Sequence, residues 1–335
     1  MDEIILDIKN ILKPTKIAHE EKISVSKEKS VSIKKEKFIE LKKINSNKKI
    51  AFIDGGNAQI MGCSAFSIQS IKAKAVYYLG KKRIDVKGCE FTCLASFSDK
   101  GFLIKTNPVQ KIPNSISNIY QAEEEKSYVN SQKIANICGY VRRLSEINLA
   151  LEISGNDSAE IIVLDGSLES FNLEEKKIME KLESSCIKNN ILCIGLSKST
   201  GIISNANRPI SFTLNEKTNL KTWLYLDEEI ENNNIVTGFI KLNDKSDNIF
   251  RLDLFKSQKE KVLKEINDLL EISSDPVFLG YPYGLIDADE EARISETEIE
   301  EQLVEFIIKF GEFWPIVEKA MKSTDSHKIL DKIRF

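Results

Sequence analysis

Long apolar runs are missing from this chain. No stretch approaches the roughly 18 apolar residues that a membrane span requires, and Met1-Asp2-Glu3 lacks the basic start of a signal peptide. The expected location is therefore the cytoplasm, with no membrane role. An excess of positive charge is missing too, since 48 Lys and Arg stand against 51 Asp and Glu for a net charge of -3. This balance excludes a protein wrapped by nucleic acid over its whole surface and leaves only a local basic patch or channel. The six cysteines, Cys63, Cys89, Cys93, Cys138, Cys186 and Cys193, are scattered, and no second Cys or His pair follows the closely spaced Cys89 and Cys93. That pattern favours reduced core cysteines over a structural zinc site. There are no repeats.

What is present is an ordinary globular composition, 41% hydrophobic and 30% charged over 335 residues, enough for one large domain or two. Residues 1–47 read as an N-terminal helical region: Ile4, Ile5, Ile8, Ile11 and Leu12 have helical spacing before Pro14, and Glu20 to Leu41 carries Lys22, Lys27, Lys29, Lys34, Lys35 and Lys37 with matching glutamates. Those lysines suit a solvated helical face, or a basic arm for a polyanion. Residues 48–335 read as the main domain. Lys49 to Asn57 is an apolar run closed by Asp54-Gly55-Gly56, which predicts a buried strand with Asp54 at its end. Phe66–Leu79, Glu90–Phe97 and Phe102–Thr106 read as further strands, and 107–127 as loop. Helical periodicity follows over Val129–Ile153. Then come the strand ending Leu164-Asp165-Gly166-Ser167-Leu168, a helix over Leu173–Lys188 and a buried strand Ile191–Leu196 leading to Ser197-Lys198.

This order over residues 49–199 matches an α/β fold of the ribonuclease H-like type, a mixed sheet flanked by helices. Residues 200–335 read as a β and helical extension: strands at Asn219–Asp227, Ile235–Leu242 and Ile249–Phe255, a helix at Ser257–Ile272 capped by Ser257, a turn at Gly280–Gly284, and helix over Leu285–Phe310 broken at Phe313-Trp314-Pro315.

In such a sheet the first and fourth strands are neighbours and the intervening helix crosses their ends, so Asp54, Asp165 and a helix glutamate can meet. Glu146 is preferred to Glu152, because it follows Arg142-Arg143 beside the apolar face of Leu144 and Ile147, whereas Glu152 lies in the last turn against the helix dipole. Clustered carboxylates repel unless a cation lies between them. Two divalent ions about 4 Å apart would serve phosphodiester hydrolysis. Mg²⁺ or Mn²⁺ suits such hard oxygen donors. Lys198 could hold a phosphate. Asp289, on the side of its helix shared with Leu285 and Ala292, is expected to turn toward the core in preference to Asp287. Tyr281 and Tyr283 could stack on bases, or simply pack. Taken singly, each feature has an ordinary explanation: a strand-ending Asp-Gly commonly forms a turn, and a loop lysine is commonly surface.

Ile53-Asp54-Gly55-Gly56, the helix with Arg143 and Glu146, Leu164-Asp165-Gly166-Ser167-Leu168, Gly195-Leu196-Ser197-Lys198, and Gly280-Tyr281-Pro282 with Ala288-Asp289 together resemble the NurA nucleases of archaea and some bacteria. The resemblance spans residues 50–294. It implies a ribonuclease H-like, homodimeric, manganese-dependent nuclease acting on DNA ends with a hexameric HerA-type ATPase in double-strand-break resection. It also implies metal binding by Asp54, Glu146 and Asp165, with Lys198 and Asp289 completing the site. Some members carry a His where Asp289 stands, and this chain's histidines are His19 and His327. Two other readings compete. An actin- or sugar-kinase-like ATP-binding protein would cradle phosphate on Asp54-Gly55-Gly56, but the chain has no later Gly-Gly for an adenosine. A non-catalytic clamp partner of a DNA translocase is the other.

Overall fold

The computed structural model describes residues 4–6, 8–9, 21–25, 29–44, 47–98, 101–108, 131–156 and 159–324. The chain divides into two compact units that interleave along the sequence. The first holds Met1–Phe52, Tyr77–Asp85 and Ile153–Ile286; the second holds Ile53–Val76, Val86–Glu152 and Asp287–Phe335.

The N-terminal part departs from expectation. Residues 4–6 and 8–9 are helical, but β1 (Lys22–Ser24) and β2 (Ser30–Ser32) form an antiparallel pair, and a 3-10 turn at Lys35–Lys37 leads into β3 (Phe38–Glu40). The physical reason is a period of two: Ile23, between Lys22 and Ser24, and Val31, between Ser30 and Ser32, face each other fully buried. The lysines are tied down locally, Lys34 to Glu229 at 2.8 Å and Lys37 to Asp227 at 3.7 Å, which removes these two from a basic arm. Lys27 and both histidines lie outside the described residues.

The large mixed sheet has the order β3-β10-β11-β12-β9-β8-β4-β5-β6-β7. Toward one edge the sheet is a meander of β4 (Lys49–Gly62), β5 (Phe66–Leu79) and β6 (Lys82–Ser98), with β7 (Gly101–Pro108) antiparallel to β6 as the edge strand. After α1 (Ser131–Gly155), β8 (Ile161–Asp165), α2 (Leu173–Lys188) and β9 (Leu192–Ser197) follow, with β8 and β9 parallel. This is the ribonuclease H-like arrangement. The parallel pair is apolar along its length because both faces are covered; Ile162, Val163, Leu164, Leu192, Cys193 and Ile194 have no exposed surface. Asn172 caps α2 by accepting from the Glu175 amide at 2.9 Å.

In the first unit the sheet continues through β10 (Trp223–Asn232), β11 (Ile235–Lys241) and β12 (Phe250–Phe255), all antiparallel, with β12 also antiparallel to β9. Asn233 and Asn234, at φ of 48° and 67°, supply the left-handed two-residue turn that joins β10 to β11. A helix that the pattern did not reveal, α3 (Ile210–Lys217), precedes β10. The expected helix over 257–272 is broken into a 3-10 turn, α4 (Lys259–Glu265), another 3-10 turn and α5 (Leu269–Ile272). Ser257 does not cap it; its hydroxyl donates to Glu183 at 2.6 Å. The C-terminal helices are α6 (Tyr283–Ala292), α7 (Glu296–Phe310) and α8 (Trp314–Thr324). Ser295 and Glu298 form a reciprocal capping box at the start of α7. Phe313-Trp314-Pro315 therefore starts a new helix, since proline is tolerated in a first turn.

The described cysteines are all buried and free, as core residues. Burial pushes the Cys89 thiol up to about 11. The loop expected over 107–127 lies largely outside the described residues.

Candidate metal and nucleic-acid site

Asp54 lies well inside β4, because the Gly55-Gly56 pair continues the strand to Gly62. It is therefore not the strand-end residue expected. It is 7% exposed, and one of its carboxylate oxygens accepts from the Gly55 amide at 2.7 Å. Glu146 comes from the middle of α1 and is 2% exposed, whereas Glu152 is exposed. Arg142, one turn before Glu146, contacts the Glu146 carboxylate directly, donates to the Gly55 carbonyl at 2.9 Å and stands 4.0 Å from Asp54. Arg143 stands 4.0 Å from the other Glu146 oxygen. The second unit thus brings Asp54 and Glu146 together around one guanidinium. A side chain on Gly55 would run into the Glu146 carboxylate and Arg142, and one on Gly56 into the Ala292 carbonyl. The glycines leave room for the chain itself.

In the first unit Asp165 is the last residue of β8, and Gly166 follows at a φ of 112°, a turn that glycine tolerates best. Lys198 stands just past the end of β9, and the parallel pairing puts both residues at the same end of their strands. The Lys198 ammonium lies 2.8 Å from the Asp165 carboxylate and 5.5 Å from the centre of the Tyr281 ring. Tyr281 is fully buried against Phe250 and Phe278, so it packs in the core and cannot stack on a base. Tyr283 is half-buried.

On α6 the expected orientation is reversed. Asp287 is 7% exposed, while the Asp289 side chain is 44% exposed and pairs with Arg293 at 3.3 Å. Leu285, Ala288 and Ala292 are buried as well, so this helix is covered on more than one side and its apolar stripe does not single out the buried acid.

Among the described residues no three His, Cys, Asp or Glu side chains form a ready metal-ligand group. The acids are instead held by cations, Arg142 in one unit and Lys198 in the other. The donor chemistry still fits a hard divalent ion, since carboxylate oxygens are its preferred ligands and the Asp54–Glu146 pair already accommodates one positive charge. The role of Arg142 was missed in the sequence, although its four-residue spacing to Glu146 is a visible signal. Also missed were Arg251 and Asp253, a charged pair on an otherwise apolar strand.

The NurA domain family model matches residues 48–294, most of the chain. This chain belongs to the NurA family. Among solved structures, the NurA nuclease from Sulfolobus solfataricus is 18% identical, over 84% of this chain and 91% of that one, with a TM-score of 0.49. The catalytic domain of human Endonuclease V is 9% identical, over 73% and 81%, with a TM-score of 0.39. Clostridium butyricum Argonaute bound to a guide DNA and a target DNA is 12% identical, over 77% and 28%, with a TM-score of 0.32. Membership of the NurA family rests on the family model alone. No curated protein matches the chain. None of the described helices is long and apolar enough to cross a membrane.

Proposed function

We propose that this chain is a metal-dependent DNA nuclease that hydrolyses phosphodiester bonds at DNA ends. The observation that carries the reading is membership of the NurA family over residues 48–294. Acidic side chains held against cations at the family's motif positions support it. Asp54 and Glu146 in the second unit, and Asp165 in the first, are assigned to Mn²⁺ or Mg²⁺, two ions in all, with Asp289 as a further ligand. When bound, such ions lower the pKa of a coordinated water and stabilise the leaving oxygen.

The residues of the chain have separate tasks. Arg142 holds Asp54 and Glu146 in place by charge-assisted contacts before metal arrives. Lys198, with a side chain 43% exposed, can exchange Asp165 for a phosphate oxygen of the DNA and orient it as a point charge. The turn at Gly166 and the buried rings behind Lys198 keep these two groups on rigid elements. A cytoplasmic homodimer working with a hexameric HerA-type ATPase in end resection is part of the same proposal.

The test is degradation of linear DNA by the purified chain with Mn²⁺, with and without a chelator, alongside Asp54→Ala and Asp165→Ala. Loss in both folded variants and under the chelator is expected. Activity that survives either substitution overturns the site, and a folded wild-type chain that cuts no DNA, alone or with the ATPase, leaves the clamp reading.

A further inference from the structure

Behind the Asp165 turn lies a fully buried carboxylate with four donors. Asp253, on β12, has no exposed surface. One of its oxygens accepts from the Ser167 hydroxyl at 2.6 Å and the Leu168 amide at 3.2 Å. The other accepts from the Thr237 hydroxyl at 2.8 Å and the Arg251 Nε at 2.8 Å. Arg251 continues outward, reaching Glu169 at 3.0 Å, Thr237 at 3.2 Å and Ser167 at 3.4 Å. Arg251 is also the register partner of Ser197, the neighbour of Lys198, and the Gly166 amide donates to the Leu196 carbonyl at 3.0 Å.

Two neighbouring strands are therefore joined to one turn by charged, directional contacts. Packing alone does not call for them. Burying an ion pair costs desolvation that an apolar pair of the same volume avoids, while four hydrogen bonds to one carboxylate fix where a turn sits. The residues fixed here, Ser167, Leu168 and Glu169, directly follow Asp165, and Arg251 stands beside the strand end that presents Lys198.

We propose that Asp253 and Arg251 are positioning residues for the Asp165–Lys198 pair, setting the place of both groups for cleavage without touching DNA or metal themselves. For its catalytic consequence this rests on the nuclease reading; for the placement of the pair it stands on the contacts alone. The Arg208 cluster in the same unit is the natural control. Arg208 is also buried, pairs with Glu21 at 2.7 Å and with Glu216 at 2.5 Å, and ties the residue before β1 to α3 with no contact to the Asp165 turn in this network.

The experiment compares the full chain with Asp253→Asn, Arg251→Lys and Glu216→Gln. Asparagine keeps the size of Asp253 but turns one acceptor into a donor, against the donors already aimed there. Amide exchange in residues 166–169 is expected to rise by about tenfold or more in Asp253→Asn, with remote segments unchanged. Acetylation of Lys198, mapped by mass spectrometry, is expected to accelerate in the same variant relative to the exposed Lys245. On linear DNA, kcat should fall by about tenfold or more with KM within about twofold, and Arg251→Lys should retain more activity than Asp253→Asn. Glu216→Gln should move none of these readouts. If Asp253→Asn does not fold, Arg251→Lys decides by the same exchange and acetylation readouts. Unchanged exchange and acetylation, or equal changes in Glu216→Gln, overturn the proposal. A wild-type chain without nuclease activity defeats the proposed function instead, and exchange and acetylation still decide the placement.

Discussion

Both units press carboxylates against a cation, yet the two arrangements answer different demands. In the first unit Asp165 and Lys198 stand at strand ends, with side chains 13% and 43% exposed. An ion pair whose cation is this open to water contributes little to stability, because solvent competes for the ammonium. Lys198 can leave Asp165 at small cost. In the second unit the Glu146 side chain, on helix α1, is 2% exposed beneath Arg142 and packs against β4, whose Gly55 leaves no room for a side chain. A buried carboxylate that loses its cation keeps the full desolvation cost, so the charge must be replaced. The first pair is suited to exchange with a substrate, the second to holding positive charge.

Substitutions can break or sharpen that contrast. Glu146→Gln should lower DNA cleavage by about a thousandfold, while Glu152→Gln on the same helix stays within about twofold, read as kcat on linear DNA. Equal effects would mean that burial under Arg142 has no bearing on function. Gly55→Ala should cost about 1–3 kcal/mol in denaturant unfolding, because the added carbon displaces the Glu146 carboxylate and the Arg142 stem. Lys198→Ala should change stability by no more than about 0.5 kcal/mol. The same substitution should reduce cleavage by about tenfold and flatten its salt dependence.

The smallest effect concerns pH. The hydrogen bond from Lys72 holds the Glu298 carboxyl below its ordinary 4.5, with the Ser295 amide adding to it. A depressed acid contributes stability that is present above 4.5 and is lost as pH falls through the lower folded value. Because the Glu298 side chain is 36% exposed, screening limits the contribution to below about 1 kcal/mol. Glu298→Gln should remove this acid-side part of the unfolding profile and leave the neutral range shifted by only that amount.

Where one pattern dominated, the elements were readable from residues alone. The bounds of α2 are those its apolar periodicity and acidic first turn imply, and β5 runs over the residues whose spacing predicts it. Parallel pairing of β8 and β9 then put Asp165 and Lys198 at one end, as the strand order implied. Lysine and glutamate hid the alternation of Ile23 and Val31, so β1 and β2 read as helix. A helical wheel assumes one buried side and therefore chose Asp289 over Asp287. The Arg251–Asp253 network was hidden for another reason: it joins residues far apart in sequence, and neither spacing nor composition reports which strands become neighbours.

Binding of Mn²⁺ to the intact chain, followed by electron paramagnetic resonance and calorimetry without DNA, tests the central claim most directly. Saturable binding in the wild type that is lost or strongly weakened in both Asp54→Asn and Asp165→Asn is the expected result. A folded wild type that binds no Mn²⁺ or Mg²⁺, or variants that bind as the wild type does, would contradict it.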